Sequence, residues 1–362
     1  MLERRTVGLT WLALLSGAWL PPAVAAQQPE EIVPDSLPLF LAHGTVHVTL
    51  IADLETIFKD RRQESEEFPA RIVVPTLDGG MDTLDIEVRT RGKLRLERRI
   101  CGFPPVRLDF PTKASAHTIF AGQDKLKLVT HCQTGRAQYE QYVLQEYLAY
   151  RVFNLITDLS FRVRLARFTY VDARGKDQPI TRYAFFIESD QHMATRNGWE
   201  ALAIPMVPPA EVPADYMSLV NLFQYMVGNP DWSAFVAEPD KGECCHNMQP
   251  VGTTAGPVFS VPYDLDVTGA VNVPYAKPAP ELGIRSLKDR VYRGLCITNE
   301  TLPDAVQLFN ARKDAIRALY EGTEELEPKE RQRALEYYDE FYETINDARK
   351  FDREIVRRCR TR

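Results

Sequence analysis

The chain has 362 residues, 44% of them hydrophobic and 26% charged, an ordinary globular composition that leaves room for a sizeable core. Its net charge is −6 at pH 7. The first residues carry two arginines and one glutamate, so the remainder is more acidic still, which argues against general nucleic-acid binding.

Arg4-Arg5 precede an uncharged apolar stretch over 7–20, Pro21-Pro22 break it, and Ala23-Val24-Ala25 follow. Positive charge, apolar run and small-residue site are the three parts of a secretory signal, here spanning 1–26. The run is short for a membrane span of about 20 residues. No later segment is long and apolar enough for one, and no cysteine marks a lipoprotein site. The expectation is a secreted or periplasmic protein with no transmembrane span in its mature chain. In that oxidising setting six cysteines predict disulfides. Cys101 and Cys132 flank predicted strands, and Cys296 and Cys359 bracket the last helices, so these two pairings are expected. Cys244 and Cys245 pair with each other or locally; as adjacent residues they lack the two-residue gap of a zinc pair.

After a polar lead over 27–37, strands are predicted over 45–51, 71–76 and 84–90. The last two flank Asp78-Gly79-Gly80, a hairpin signal. Further strands follow over 106–110 and 126–130, all read as antiparallel. A helix over 137–156 repeats Leu144, Leu148, Val152 and Leu155 at helical spacing. Strands over 165–171 and 182–188 are joined by Asp172-Ala173-Arg174-Gly175, a turn. The proline-rich stretch 201–213 divides a β-rich part, 27–200, from a helical part, 201–362. There, a helix over 216–227 is apolar nearly all round and stops at Gly228, so it should be buried. Residues 229–256 read as loop, 258–263 as a short strand, 303–322 as a helix, and a last helix from Pro328 runs to Ile355.

Asp264-Leu265-Asp266 ends the short strand, where converging carboxylates supply hard oxygen ligands suited to Mg²⁺. Asp231, on the loop after the buried helix, is placed for general-base work, and Asn247 could add an oxygen ligand. Arg89-Thr90-Arg91-Gly92 closes a hairpin strand and can offer guanidinium forks and free N–H groups to phosphate. Lys125 and Lys127 face one side of their strand; one of them could meet phosphate oxygens with Glu140 or Glu146 holding it.

In this order the segments resemble the spore-coat-protein-H (CotH) kinase-like family over about residues 84–270. The resemblance rests on Arg89-Thr90-Arg91-Gly92, the run 106–110, the run 182–188 ending in Glu188, Asp231-Trp232, His246-Asn247 and Tyr263-Asp264-Leu265-Asp266. It implies an α+β protein-kinase-like two-lobed fold, with a β-rich N-terminal lobe holding one helix and a mainly helical C-terminal lobe. It also implies transfer of a phosphoryl group from ATP with Mg²⁺ to an unknown hydroxyl acceptor. Asp264, Asp266 and Asn247 would hold the metal and Asp231 would serve the acceptor. Arg89, Arg91, Gly92, Lys125, Lys127, Glu146 and Glu188 would serve the nucleotide. Fifteen residues separate Asp231 from Asn247, where kinase loops keep the pair within about five positions, so the chain must fold back. Two other readings stand beside this one: a non-catalytic envelope binding protein, and a haloacid-dehalogenase-type phosphatase using Asp264-x-Asp266-x-Thr268.

The leader pattern predicts an N-terminus near Ala26 or Gln27 in mature protein. Mass spectrometry of protein recovered from the cell envelope reads it directly, and an intact Met1 there contradicts export by this signal.

Overall fold

The computed structural model describes residues 37–236, 242–253 and 255–361. The predicted leader, 1–26, lies outside the described residues.

Strands β1 (Val46–Ala52), β2 (Phe68–Pro75) and β3 (Met81–Thr90) follow one another, with a short helix α1 (Leu54–Lys59) after β1. β2 and β3 form the predicted hairpin, pairing Pro75 with Met81. Gly79 takes a φ of 90°, which the turn requires and a side chain resists. β4 (Val106–Asp109) and β5 (Lys125–Val129) add on antiparallel, then helix α2 (Gln138–Ile156) crosses to β6 (Val163–Asp172) and β7 (Ile180–Ile187). β7 pairs with both β5 and β6.

β6 then pairs with β1 in parallel, Val46 opposite Ala166 through Ala52 opposite Asp172. This ladder closes the sheet into a seven-stranded barrel in the order β1-β2-β3-β4-β5-β7-β6. The expected kinase-like two-lobed fold is therefore overturned: the β-rich part is a closed mixed barrel with no free edge, not an open antiparallel sheet. The α+β class itself holds. Closure removes both edge strands, the groups most prone to pair with other chains. Alternation along each strand sends Val48, Leu50, Ile72, Val74, Ile86, Val88, Leu126 and Phe186 into one buried cluster.

The outer wall of β6 and β7 is apolar too. Val163, Leu165, Phe185 and Ile187 join a second core with Leu144, Leu148 and Val152 of α2. Helix α3 (Asp190–Arg196) and strand β8 (Glu200–Ala201) lead to helix α4 (Ala214–Val227), whose Val220, Leu222, Phe223 and Met226 enter the same core. α4 stops at Gly228 with φ 62°, and a Cβ there would fall within 2.0 Å of the Tyr337 hydroxyl oxygen. The expected loop 229–256 contains a strand, β9 (Met248–Gly252), which pairs antiparallel with β10 (Val258–Pro262) and with β8. Pro250 within β9 and the glycine ending it obscure the strand pattern.

Helices α5 (Leu302–Glu321), α6 (Pro328–Asn346) and α7 (Ala348–Glu354) close the chain. The single last helix expected from the apolar stripe is split, because the Asp347 side chain accepts from the backbone N–H groups of Arg349 and Lys350 and caps a new helix. All six cysteines pair: Cys101 with Cys132, Cys296 with Cys359, and Cys244 with Cys245. Among the described residues no helix is long and apolar enough to cross a membrane.

One buried histidine makes the fold sensitive to acid. His131 is wholly enclosed beside Phe103, and burial, with Arg182 adding to it, lowers its pKa from 6.5 to about 3. The unfolded chain therefore takes up a proton below pH 6.5 that the folded chain refuses, so stability is full above that value and falls as pH drops from 6.5 towards 3. At about 1.4 kcal/mol per pH unit, wild type should lose roughly 2 kcal/mol more than a His131→Gln variant between pH 7 and pH 5. Urea unfolding of both proteins at the two pH values measures it; equal losses contradict the assignment.

Candidate functional site

A cavity of about 260 Å³ is lined mainly by three chain segments, with Gln63 and the pair His246-Asn247 completing its wall. The first is the turn after β3. Arg91 donates its backbone N–H to Pro105 (3.0 Å), and Gly92 follows with φ 108°, a conformation that favours glycine. A single helical turn, Leu94–Leu96, then carries Arg95 inward. The second is the loop after α4, where the Asn229 side chain accepts from the Asp231 N–H (2.8 Å) and fixes a tight turn. The third is the end of β10, where Asp264 adopts φ 56°. Left-handed backbone is uncommon for any residue with a side chain, and it clusters at functional sites.

Helix α2 organises the acidic end. Glu146 and Tyr150 are one turn apart and project from the same face. The Tyr150 hydroxyl accepts from the Asp264 N–H (2.7 Å), holding that residue in its unusual conformation. Glu146, Asp264 and Asp266 offer oxygens within 4.8 Å of one another. Arg95 touches all three, with Nη1 3.3 Å from Glu146, Nη2 2.9 Å from Asp264 and Nε 3.5 Å from Asp266. The Tyr275 hydroxyl donates to Asp266 (2.6 Å).

Burial dominates the electrostatics of this cluster. It pushes the Glu146 carboxyl up to about 8 despite Arg95 alongside, and it raises Asp266 as well. Burial would lower Arg95, but Asp266 and Glu146 hold its guanidinium well above its ordinary value. Burial lowers Arg91, with the charge of Asp264 opposing.

On the opposite wall, Nε2 of His246 lies 2.6 Å from Oδ1 of Asp231. The Asn247 amide donates to the Asp231 backbone carbonyl (2.7 Å) and to its carboxylate (3.2 Å). The fold-back that the sequence required is therefore present, with Ser233 pairing to His246 across the intervening segment.

Of the residues singled out from sequence, Arg91, Gly92, Asp231, Asn247, Asp264 and Asp266 line this one cavity, and Glu146 sits against it through Arg95. Asn247 faces Asp231 rather than the acidic cluster. Arg89 lies apart, bonded to the Gln63 carbonyl (3.0 Å). Lys125 pairs with Asp109 (3.5 Å) on the barrel. Lys127 pairs with Asp190 (2.9 Å) and reaches the cavity only indirectly, its ammonium 5.2 Å from the ring of Tyr263, which lines it. Glu140 binds Arg167 and Arg182, so neither glutamate of α2 holds a lysine. Glu188 accepts from Arg196 (2.9 Å) and from the Arg162 N–H (2.9 Å), a closed structural pairing.

Sequence reasoning missed Arg95 and His246 as site residues. Arg95 stands among Arg91, Arg98 and Arg99 with nothing local to mark it, and His246 gains meaning only beside Asp231. No protein-family model matches the chain, and no curated protein matches it.

The Tyr150 hydroxyl carries the geometry of Asp264. Tyr150→Phe should leave the fold intact and lower unfolding stability by about 1–3 kcal/mol, the cost of an unsatisfied buried N–H. Chemical denaturation measures it, and a loss below about 0.5 kcal/mol contradicts the role.

Proposed function

We propose that this protein transfers a phosphoryl group from a magnesium-bound nucleoside triphosphate of the ATP type to a hydroxyl on a protein or small molecule. The observation that carries the reading is the meeting, around one cavity, of a carboxylate cluster, the guanidinium groups of Arg91 and Arg95 and a separate Asp–His pair. Phosphoryl transfer demands those parts: positive charge for phosphate oxygens, hard ligands for a metal, and a group to orient or deprotonate the acceptor. The likeness of the short motifs to the CotH kinase-like family supports the chemistry; it is a likeness of motifs and not of architecture.

The donor set fits a divalent ion. Carboxylate oxygens are its preferred ligands, and Oε1 of the buried Glu146 has no hydrogen-bond partner among the described residues. Asp264 and Asp266 would hold the ion, which neutralises charge on the phosphates when bound. Arg91 and the backbone around Gly92 bind phosphate oxygens from the other side. Asp231, held by Asn247 and His246, orients the acceptor hydroxyl and takes its proton. The cavity volume suits a phosphate chain better than a whole nucleotide, so the nucleoside extends beyond it.

A second reading, a non-catalytic protein that binds phosphate groups on the same scaffold, draws on Arg95, which already engages the carboxylates. We infer further that the protein works in an oxidising compartment. The leader pattern and the disulfides Cys101–Cys132 and Cys296–Cys359 support this.

Calorimetry with nucleotide and Mg²⁺ or Mn²⁺ separates the readings. Nucleotide binding should require the metal. Asp264→Ala should abolish that binding, whereas Asp231→Ala should leave it nearly intact and lower transfer by about 100-fold or more. Wild-type protein that binds no nucleotide under any metal condition contradicts the proposal; binding without transfer favours the second reading.

A further inference from the structure

The acidic end of the cavity gathers three carboxyl groups around the guanidinium of Arg95. Glu146 and Asp266 are almost wholly buried and Asp264 is part-exposed. Three carboxyl groups thus face one guanidinium, with Arg91 nearby. Ion-pair clusters of this kind are held most firmly when each oxygen has a good partner. Here only one of the three contacts of Arg95 is a close hydrogen bond, at 2.9 Å to Asp264; the others, at 3.3 and 3.5 Å, are loose. The second oxygen of Glu146, Oε1, is buried without a hydrogen-bond partner among the described residues.

The carboxylate oxygens lie within 4.8 Å of one another. That is close to the separation of two oxygens bound across one divalent ion at about 2.0–2.6 Å each. Arg95 stands among all three, with a different nitrogen turned to each. Arg95 itself comes from neither a strand nor a long helix. Its single helical turn sits in the loop between β3 and β4, and that loop is tied at its far side by the Cys101–Cys132 disulfide.

We propose that Arg95 is a resident counter-ion which a divalent cation displaces from a cage formed by Glu146, Asp264 and Asp266. This rests on the metal-assisted reading above and changes it in two respects. Helix α2 supplies a metal ligand through Glu146, and Asn247, turned to Asp231, does not. The released guanidinium has phosphate as its natural partner on the same cavity wall, because a planar fork binds phosphate oxygens as it binds carboxylate. Metal entry and phosphate binding are thereby linked through one side chain: each removes the reason for Arg95 to remain where it is.

Titration calorimetry with Mn²⁺ alone tests the exchange without any need for activity. Arg95→Met removes the competing charge and should bind Mn²⁺ at least tenfold more tightly than wild type. Adding Glu146→Gln to that variant should cancel most of the gain. Arg95→Lys keeps a positive charge but cannot span the three carboxylates; it should fall between wild type and Arg95→Met, and it provides the test should Arg95→Met fail to fold. Arg95 variants that fold and bind Mn²⁺ no more tightly than wild type overturn the displacement while leaving a metal site standing. Absence of Mn²⁺ binding in wild type and in every folded variant removes the metal-assisted reading and this proposal with it.

Discussion

The buried guanidinium of Arg95, set among three carboxyl groups, is the constraint that assembles the site in the absence of a cation. It ties α2 to the turn after β3, and both to the end of β10. Tyr150, one turn along α2, fixes the Asp264 backbone from the same helix. Without these links the barrel and the helical core would still share an apolar wall, but the carboxyl groups of Asp264 and Glu146 would not be tied to the Arg91-Gly92 turn. Buried ion pairs add little net stability against well-packed apolar groups, because desolvation offsets their attraction. A cluster this rich in charge and this incompletely satisfied is therefore better explained by what it binds than by what it stabilises.

Much of the architecture is legible from periodicity. The seven strands of the barrel, the buried helix α4 and its stop at Gly228 all follow from alternation, helical spacing and turn residues. Closure is not legible. The parallel ladder from Val46 to Ala52 pairs with residues 166–172, far along the chain, and local pattern carries no information about that partner. An open antiparallel sheet and a closed barrel share the same strand signals, which is why motif order pointed to a kinase-like lobe that the chain does not form. Some short elements are not legible either: α1 and α3 are too brief to show a helical period, and Pro250 and Gly252 mask the strand pattern of β9. The break at Asp347 is a cap inside a continuous apolar stripe, and the stripe hid it.

The site was legible where chemistry coincides with an element's end. Asp264 and Asp266 close a strand, Asp231 follows a helix, and Arg91-Gly92 closes a hairpin, so each was marked by position as well as residue type. Arg95 and His246 have no such mark. Lys125, Lys127 and Glu188 had residue type and strand position in their favour, yet each is paired with a charged side chain that does not line the cavity. Charge type on a strand identifies candidates; the partner across the fold decides between them.

A metal ion and a phosphate chain are proposed to share the cavity between Arg91 and Asp264. Crystals grown with Mn²⁺ and a non-hydrolysable nucleoside triphosphate, measured for anomalous scattering from manganese, test it directly. A manganese peak is expected about 2.0–2.6 Å from carboxylate oxygens of Asp264 and Asp266, with phosphate oxygens against Arg91. A peak elsewhere on the protein, or ordered nucleotide with no metal in this cluster, would contradict it.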